Sequence, residues 1–297
     1  MRVLKLTVGP DADGRTVKNL LGTVFHMAPS LISRVKLREG GITLNGLPVH
    51  TDAYVRTGDV LAADVSDISP QNPARPIPYD LDIVYEDEDL AIINKPAGMA
   101  VHGTDGGGVT VASALSYMWG QNAAFHPVSR LDKGTSGLMT AAKSAYAHDR
   151  LRRLLHTPQF TRRYIAIARG EVYPDAGSIE LPIGAQPVEG TRRAVCGDGL
   201  PCRTDYSVLC RENGYTLLRV TPLTGRTHQI RVHFAALGHP LAGDVMYGGG
   251  QELSRPALHS EHICLIQPVT GRVIDVSAPL PPDMVELSRS TFRCKNL

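Results

Sequence analysis

The chain has 297 residues, of which 42% are hydrophobic, and its 31 lysines and arginines against 29 aspartates and glutamates give a formal net charge of +2. This length and apolar content predict a globular protein with one large domain and room for a small one. No apolar run reaches the roughly 18 residues of a membrane span, and the N-terminus lacks the apolar stretch of a secretory signal. We therefore expect a cytoplasmic protein that makes no membrane contact.

The charges are distributed unevenly along the chain. Residues 80–89 hold six acids and no base, whereas residues 130–169 hold nine bases and only two acids. Such a basic stretch is typical of a surface that binds nucleic-acid phosphates, and Arg152 and Arg153 within it are candidate phosphate contacts. A solvated helix face would give the same pattern, so both interpretations stay open at this point.

The five cysteines are dispersed through the second half of the chain. They are Cys196, Cys202, Cys210, Cys264 and Cys294. They form no C-x-x-C pair of the kind that structural zinc sites use. The sequence therefore predicts free thiols in a reducing compartment and no bound metal.

Proline divides the chain into two parts. Four prolines lie within residues 69–79, and because proline fixes φ and removes a backbone donor, residues 70–79 are predicted to be an extended linker. The division gives a small unit of residues 1–69 and a domain of residues 80–297. We expect the small unit to be an appendage on a tether.

The small unit combines helical and strand patterns. Residues 16–25 and 30–41 have helical spacing, and short strands follow, with turns at Asn45-Gly46 and Gly58-Asp59. The sequence SRVKLREGGITLNG, followed by VRTGDVL, resembles the S-four-type RNA-binding domain. That resemblance implies a small α/β RNA-binding domain. Its candidate RNA contacts are the basic residues of the second helix, Arg34, Lys36 and Arg38.

The large domain is rich in strands. The predicted strands are two within LDIVYEDEDLAIINKP, joined by an acidic turn, and others at 162–170, 178–184, 205–222 (a hairpin turning at Asn213-Gly214) and 272–279. Helices are predicted at 111–119 and within 227–240, where Thr227 is the candidate N-cap. Many hairpins and little alternation of strand with helix predict an α+β fold with a mixed, mostly antiparallel central sheet and flanking helices.

Several signatures of cofactor chemistry are missing. The chain has no phosphate-binding loop of the G-x-x-x-x-G-K-[ST] type, no G-x-G-x-x-G after a strand and no G-x-S-x-G elbow. His228 and His233 are five residues apart and would face different sides of a helix, which argues against a shared metal. The sequence therefore predicts chemistry by side chains alone, without a cofactor.

The segment HPVSRLDKGTSGLMTAAK places Asp132 between Arg130 and Lys133, directly before a Gly-Thr-Ser-Gly turn. A carboxylate flanked by cations stays ionised at neutral pH, and it can act as a base, as a nucleophile or as half of an ion pair. Tyr164 follows a basic pair at the start of a strand, and Arg226 leads into a helix. A carboxylate, an arginine and an aromatic ring would suit a flipped-out nucleobase with its phosphates.

Longer motifs carry a family resemblance. The segments PVSRLDKGTSGLMTAAK, RRYIAIARG and LLRVTPLTGRTHQIRVHFAALGHPLAGDVMYGG closely resemble the RluA-type pseudouridine synthases. INKPAGMAVHG resembles the opening segment of that family and ALHSEHICLIQPVTGRVIDVSAPLPPDM its closing segment, so the resemblance covers residues 80–284. It implies the pseudouridine synthase fold and a monomeric isomerase that converts uridine to pseudouridine in structured RNA without a cofactor. Large-subunit ribosomal RNA is the expected substrate, with transfer RNA as an alternative.

The resemblance also implies roles for individual residues. Asp132 corresponds to the catalytic aspartate, Tyr164 to a tyrosine that packs on the base, and Arg226 to the basic residue that pairs with the aspartate. Arg130 corresponds to an arginine that holds the flipped-out RNA. The family usually has histidine where this chain has Ser129, which we expect to alter the RNA contacts at that edge.

Lys95, which precedes a proline, is interpreted as a structural or phosphate contact. Two other functions are compatible with parts of the sequence. A non-catalytic RNA-binding protein could keep the same fold. A hydrolase with an aspartate nucleophile would normally need two facing carboxylates, and the motifs offer only Asp132 and the distant Asp244.

Overall fold

The computed structural model describes residues 2–67, 74–103, 108–120, 123–185 and 192–293. The strands are β1 (Val3–Thr7), β2 (Ile42–Leu44), β3 (Leu47–Pro48), β4 (Val60–Asp64), β5 (Asp82–Glu86), β6 (Leu90–Lys95), β7 (His126–Pro127), β8 (Ser136–Ala142), β9 (Phe160–Arg169), β10 (Ala176–Ile179), β11 (Ile183–Ala185), β12 (Arg193–Val195), β13 (Thr204–Glu212), β14 (Tyr215–Pro222), β15 (Leu258–Ile266) and β16 (Val273–Ser277). The α-helices are α1 (Val17–Thr23), α2 (Pro29–Val35), α3 (Val111–Trp119), α4 (Ala145–Leu154), α5 (Gln229–Ala236) and α6 (Pro282–Thr291). None of these helices is long and apolar enough to cross a membrane.

The N-terminal unit is an antiparallel sheet in the order β1-β4-β2-β3 with α1 and α2 packed on it. Thr16 begins α1, because its hydroxyl accepts a hydrogen bond from the Asn19 backbone N–H at 3.2 Å. Both predicted helices exist. The second ends at Val35 rather than at residue 41, and turns follow it, with the N–H of Gly41 bonded to the carbonyl of Arg38.

The large domain is built on a ten-stranded sheet whose main path runs β10-β13-β14-β9-β15-β8-β6-β5. Two further strands pair with this path: β16 is hydrogen-bonded to β15, and β7 is hydrogen-bonded to β8. Only the pair β15–β8 is parallel among these ladders. The predicted α+β fold with a mixed, mostly antiparallel sheet is confirmed.

Helices cover both faces of this sheet. Because side chains alternate along a strand, Tyr164 and Ala166 of β9 face a core shared with α3 and α5, whereas Ile165 and Ile167 face a core shared with α6. Helix α4 covers the same side as α6 and packs on the β6 and β8 strands. The core thus lies in two layers, one on each face of the sheet.

Three local predictions needed correction. The strand predicted at 178–184 is divided into β10 and β11 around Pro182, which has no N–H to offer to a ladder. The helix α4 was not predicted; Ser144 caps it by accepting the Ala147 N–H at 3.1 Å. Cys196, Cys202 and Cys264 are free thiols, but Cys210 takes part in a disulfide, so the expectation of free thiols is wrong for that residue.

The N-terminal unit contacts the large domain directly. The Tyr146 hydroxyl of α4 donates a buried hydrogen bond of 2.8 Å to the carbonyl of Phe25, and its ring belongs to the N-terminal core. The Arg2 guanidinium lies 2.9 Å from the buried Asp89 carboxylate. The small unit is therefore docked rather than merely tethered. The domain boundaries at 69 and 80 stay predictions, and residues 70–73 of the expected linker lie outside the described residues.

His259 on β15 provides a test of this core. It is 1% exposed, with the Ser136 hydroxyl 3.0 Å from Nδ1 and the Ala278 carbonyl 3.3 Å from Nε2. Burial lowers the pKa of His259 from 6.5 to about 4. The unfolded chain takes up this proton near pH 6.5 and the folded protein only near pH 4, so the free energy of unfolding should fall between these values as pH falls, by about 3 kcal/mol for this group.

We expect His259→Asn to remove that part of the pH dependence, whereas the exposed His50→Asn should keep it. Urea unfolding of the three proteins from about pH 7 to about pH 4 measures the difference. Parallel stability curves for wild type and His259→Asn would contradict the prediction.

Candidate active site

The Asp132 loop between β7 and β8 is fixed through its backbone carbonyls. The carbonyl of Asp132 accepts the Thr135 N–H at 3.0 Å, and the carbonyl of Lys133 accepts the Gly98 N–H at 2.8 Å. The carbonyl of Gly134 accepts from the Arg255 guanidinium at 3.3 Å. The loop cannot shift without breaking these bonds, so the Asp132 side chain leaves the backbone from a defined position.

Lys95 holds the same loop from the protein interior. Its ammonium is fully buried and donates to the carbonyls of Pro96 and Met99, both at 2.9 Å, and of Lys133 at 3.3 Å. Burial lowers the pKa of Lys95 to about 8, although the nearby Asp132 carboxylate opposes the shift. Of the two roles expected for Lys95, the structure confirms the structural one, since a buried ammonium cannot reach an RNA phosphate.

The Asp132 carboxylate pairs with Arg231 on α5. Arg231 Nη1 lies 3.3 Å from Asp132 Oδ2, while the rest of the same guanidinium binds Asp244 in a fork, with Nε–Oδ2 at 2.7 Å and Nη2–Oδ1 at 2.8 Å. Arg231 and Asp244 are buried, and the Asp132 side chain keeps 24% of its surface exposed. The buried pair therefore orients a carboxylate that can still meet a ligand.

The prediction that Arg226 pairs with Asp132 is wrong. Arg226 is exposed in the loop before α5, and its guanidinium donates to the carbonyl of Pro201 at 3.4 Å. Residue 226 precedes the helix, whereas Arg231 lies on the inward face of its first turns. One signal was available in the sequence, because an arginine within the apolar run of α5 needs a buried acidic partner.

Tyr164 lies on β9 with its ring 6% exposed. It packs in the same apolar cluster as Leu131 and Ile230, the neighbours of Asp132 and Arg231 in the chain. Across the sheet, Gly137, Ser260, Tyr164 and Val220 form one row of paired residues. Tyr164 thus lies in the core that also holds the chain neighbours of Asp132 and Arg231, and its role in the site stays a prediction.

Gly137 has a specific reason to be glycine in this row. Its φ is +102°, and a Cβ placed there would lie 2.3 Å from the carbonyl oxygen of Ser260. The absent side chain lets β8 approach β15 closely, next to the Asp132 loop.

A second group contacts Asp132 from the start of α5. His228 Nε2 lies 3.9 Å from Asp132 Oδ2, and the Tyr247 hydroxyl lies 3.0 Å from His228 Nδ1. The Tyr247 ring also stacks beneath Arg231, 5.0 Å from the guanidinium carbon. Sequence reasoning did not find His228 or Tyr247 as site residues, because they approach Asp132 only through the fold.

The predicted RNA contacts differ in exposure. Arg34, Lys36, Arg130, Arg152 and Arg153 are exposed, although Arg153 is also paired with Asp149 at 2.7 Å. Arg38 is engaged in the structure, since its guanidinium donates to the carbonyl of Ser66 at 2.5 Å. Ser129 is buried, so it cannot supply the RNA contact considered for that position.

The basic stretch 130–169 is only partly available to a ligand. Arg162 is buried and donates to the carbonyl of Pro222 at 3.4 Å, and Lys143 pairs with Glu86 of the acidic stretch at 2.6 Å. The acidic and basic stretches therefore neutralise each other in part. Arg130, Arg152, Arg153 and Arg163 are exposed, so a phosphate contact remains open to them.

Asp244 allows a test of the buried pair. Asp244→Asn leaves the buried Arg231 with a neutral partner, and breaking a buried ion pair should lower the free energy of unfolding by about 3 kcal/mol. Asp205→Asn is the matched control, because Asp205 pairs with Arg203 at the surface at 2.8 Å and should matter much less. Urea unfolding at neutral pH compares them, and equal losses would contradict the assigned role of Asp244.

Comparisons with known proteins agree with this geometry. Residues 89–236 match the RNA pseudouridylate synthase family. The chain is 37% identical to the RNA pseudouridine synthase YjbO of Bacillus subtilis, over 92% of this chain and 98% of that protein. It is 40% identical to the ribosomal large subunit pseudouridine synthase D of Escherichia coli, over 70% and 69% of the two chains.

The fold has solved relatives. The human RNA pseudouridylate synthase domain containing 1 superposes with a TM-score of 0.58 and 29% identity, over 69% of this chain and 86% of that one. The chain belongs to the RNA pseudouridine synthase family, and it is an enzyme of that family.

Proposed function

We propose that this enzyme isomerises uridine to pseudouridine in large-subunit ribosomal RNA, with Asp132 as the catalytic residue. The observation that carries the proposal is the partly exposed Asp132 carboxylate, held by Arg231 at 3.3 Å on a loop in which the carbonyls of Asp132, Lys133 and Gly134 accept hydrogen bonds. The ribosomal substrate is supported by relatives named ribosomal large subunit pseudouridine synthase D, at 40–41% identity.

The reaction needs little beyond a positioned carboxylate and a pocket for the base. The bond between uracil N1 and the ribose C1′ breaks, the ring turns, and C5 bonds to the same C1′. The C5 proton is then lost and N1 takes up a proton, so that the product is an isomer of the substrate. An ionised carboxylate can open this sequence as a nucleophile or as a base. Arg231 orients the Asp132 carboxylate through its contact with Oδ2 at 3.3 Å.

The target uridine must leave its stack to reach Asp132. Tyr164 shares an apolar cluster with Leu131 and Ile230, the chain neighbours of Asp132 and Arg231, which supports a role in packing on the extruded base. The exposed Arg130, two residues before Asp132, is placed to bind a phosphate of the flipped nucleotide. These contacts give Tyr164 and Arg130 the roles of holding the base and its backbone while the carboxylate acts.

The N-terminal unit is proposed to add RNA affinity, as its resemblance to the S-four-type domain suggests. Its exposed Arg34 and Lys36 and the exposed Arg152 and Arg153 of α4 would contact phosphates away from the target uridine. Such contacts strengthen binding without choosing a base.

The decisive variant is Asp132→Asn, which keeps the shape of the side chain and removes its charge. We expect turnover to fall by at least about a thousandfold, because loss of a nucleophile or base removes most of the chemical acceleration. Affinity for the RNA should change little. The assay is tritium release from C5 of labelled uridine in large-subunit ribosomal RNA, with transfer RNA as a second substrate and Asp80→Asn, an exposed carboxylate, as control.

Three results would count against the proposal. Release at the wild-type rate by Asp132→Asn would make this carboxylate structural. Release by the wild-type enzyme from transfer RNA alone would overturn the ribosomal substrate while leaving the chemistry intact. Tight RNA binding with no release from any RNA would favour the non-catalytic binding protein.

Phosphate contacts on α4 predict a change in salt dependence. Each phosphate contact releases counterions, so binding weakens as salt rises, with a slope that reflects the number of contacts. Arg152→Ala combined with Arg153→Ala should reduce this slope by about one to two and leave the modified uridine unchanged. Binding titrations over a salt series measure it. Arg203→Ala combined with Arg211→Ala is the control, because it removes the same charge from two arginines that are paired with acids and are not among the predicted RNA contacts.

A further inference from the structure

We infer that His228 and Tyr247 are positioning residues that hold an N–H of the imidazole against Oδ2 of Asp132, and thereby leave Oδ1 as the oxygen that acts on the uridine. The inference rests on the proposed function, because it assigns a reactive atom within that site. It is carried by the backbone of His228, by the hydrogen bonds of Tyr247 and by the two contacts on Asp132 Oδ2.

The backbone of His228 is left-handed. Its φ is +58° and ψ is 18°, in a region where residues other than glycine are uncommon, although histidine is found there more often than most of them. The residue stands directly before α5, and its side chain does not cap that helix. A sparsely populated conformation of this kind persists where the surroundings enforce it and is concentrated at functional sites. Here its effect is to turn the imidazole toward Asp132 and Tyr247.

The hydrogen bonds of Tyr247 select one tautomer of His228. The Tyr247 oxygen accepts the Arg193 backbone N–H at 3.0 Å, and within the described chain its other polar neighbour is His228 Nδ1, also at 3.0 Å. The phenol proton therefore has His228 Nδ1 as its acceptor. A neutral imidazole carries one proton, so that proton lies on Nε2.

The opposite tautomer would be unfavourable at both ends. With the proton on Nδ1, the Tyr247 oxygen would accept two bonds while its own proton had no acceptor among the described residues. The lone pair of Nε2 would then face the Asp132 carboxylate oxygen at 3.9 Å. Only the Nε2–H tautomer directs a donor at Asp132.

The two donors address the same oxygen of Asp132. Arg231 Nη1 lies 3.3 Å from Oδ2 and His228 Nε2 lies 3.9 Å from Oδ2. Within the described chain no side-chain or backbone donor is hydrogen-bonded to Oδ1. The His228 contact is longer than a hydrogen bond, and we expect it to shorten when the uridine displaces water, as catalytic contacts often do when the substrate is bound.

The charges around His228 favour a neutral ring. Burial lowers the pKa of His228, Asp132 and Asp244 raise it, and Arg231 and Arg193 lower it, with a net lowering. A neutral N–H orients Asp132 without adding a second full positive charge. A charged imidazole would instead bind the carboxylate as an ion pair and weaken it as a base or nucleophile.

The first test needs no RNA. Nitrogen NMR of the full-length enzyme, labelled at histidine, should show His228 as the neutral Nε2–H tautomer at neutral pH. Tyr247→Phe keeps the ring under Arg231 but removes the hydroxyl, so we expect loss of the fixed tautomer in that variant. A neutral Nδ1–H tautomer in the wild type would overturn the inference whatever the enzyme's substrate proves to be.

The second test compares the turnover rates and the melting temperatures of two variants of His228. Asn at 228 tolerates the left-handed backbone best, but its amide reaches only the position of Nδ1. Gln fits that backbone less well, yet its amide N–H extends to the position of Nε2. A positioning role predicts that His228→Gln turns over faster than His228→Asn although it melts at a lower temperature. If His228 is only structural, activity should follow stability, so that His228→Asn is both more stable and more active than His228→Gln.

The kinetic signature separates positioning from RNA binding. His228→Asn and Tyr247→Phe should lower kcat by about tenfold or more and leave KM for the RNA within about twofold, since the contact acts on the chemical step. A rise in KM at constant kcat would overturn the inference. Because wild-type tritium release is established in the same assay, failure of these variants to behave as expected is distinct from failure of the proposed function.

Discussion

The guanidinium of Arg231 is the group on which the site depends. It is buried, it binds Asp244 through two short bonds, and its remaining nitrogen reaches Asp132. A buried cation is stable only when its hydrogen bonds are satisfied, and Asp244 fulfils that need by itself. Asp132 is therefore held by a partner that is already neutralised, and its carboxylate stays accessible instead of being closed in a bidentate pair.

The rest of the large domain fixes the positions of both partners in the contact between Arg231 and Asp132. The sheet brings β8, β15, β9 and β14 side by side, so that the Asp132 loop, Tyr164 and the loop before α5 meet on one face. Lys95 and Arg255 secure the carbonyls of the Asp132 loop from the interior and from the adjacent strand end. The left-handed backbone at His228 places a second donor near the same oxygen. The groups proposed to act on the uridine thus lie on β9 or in two short loops that adjoin β8 and α5.

The basic residues fall into two groups: some are bonded within the protein, and others are exposed to solvent. Lys143, Arg162 and Arg38 looked available in the sequence, but each is committed to a carboxylate or a carbonyl of the protein. The exposed arginines of α4 lie on the helix whose Tyr146 anchors the N-terminal unit. Because the unit is docked, its exposed Arg34 and Lys36 stand in a fixed relation to the arginines of α4.

The sequence by itself determined the fold class and the family, and it predicted Asp132 as the catalytic residue, because local periodicity, hairpin turns and long motifs are properties of contiguous residues. It also located Tyr164, which lies within such a motif. Arg231, Asp244, His228 and Tyr247 were decided only by the tertiary structure. Their function arises from pairing across 13 to 99 positions of the chain, and Arg226 and Arg231 are both arginines of one motif, so composition could not tell them apart. The helix start at Gln229 made the difference, since it leaves Arg226 in solvent and turns Arg231 inward to the carboxylates.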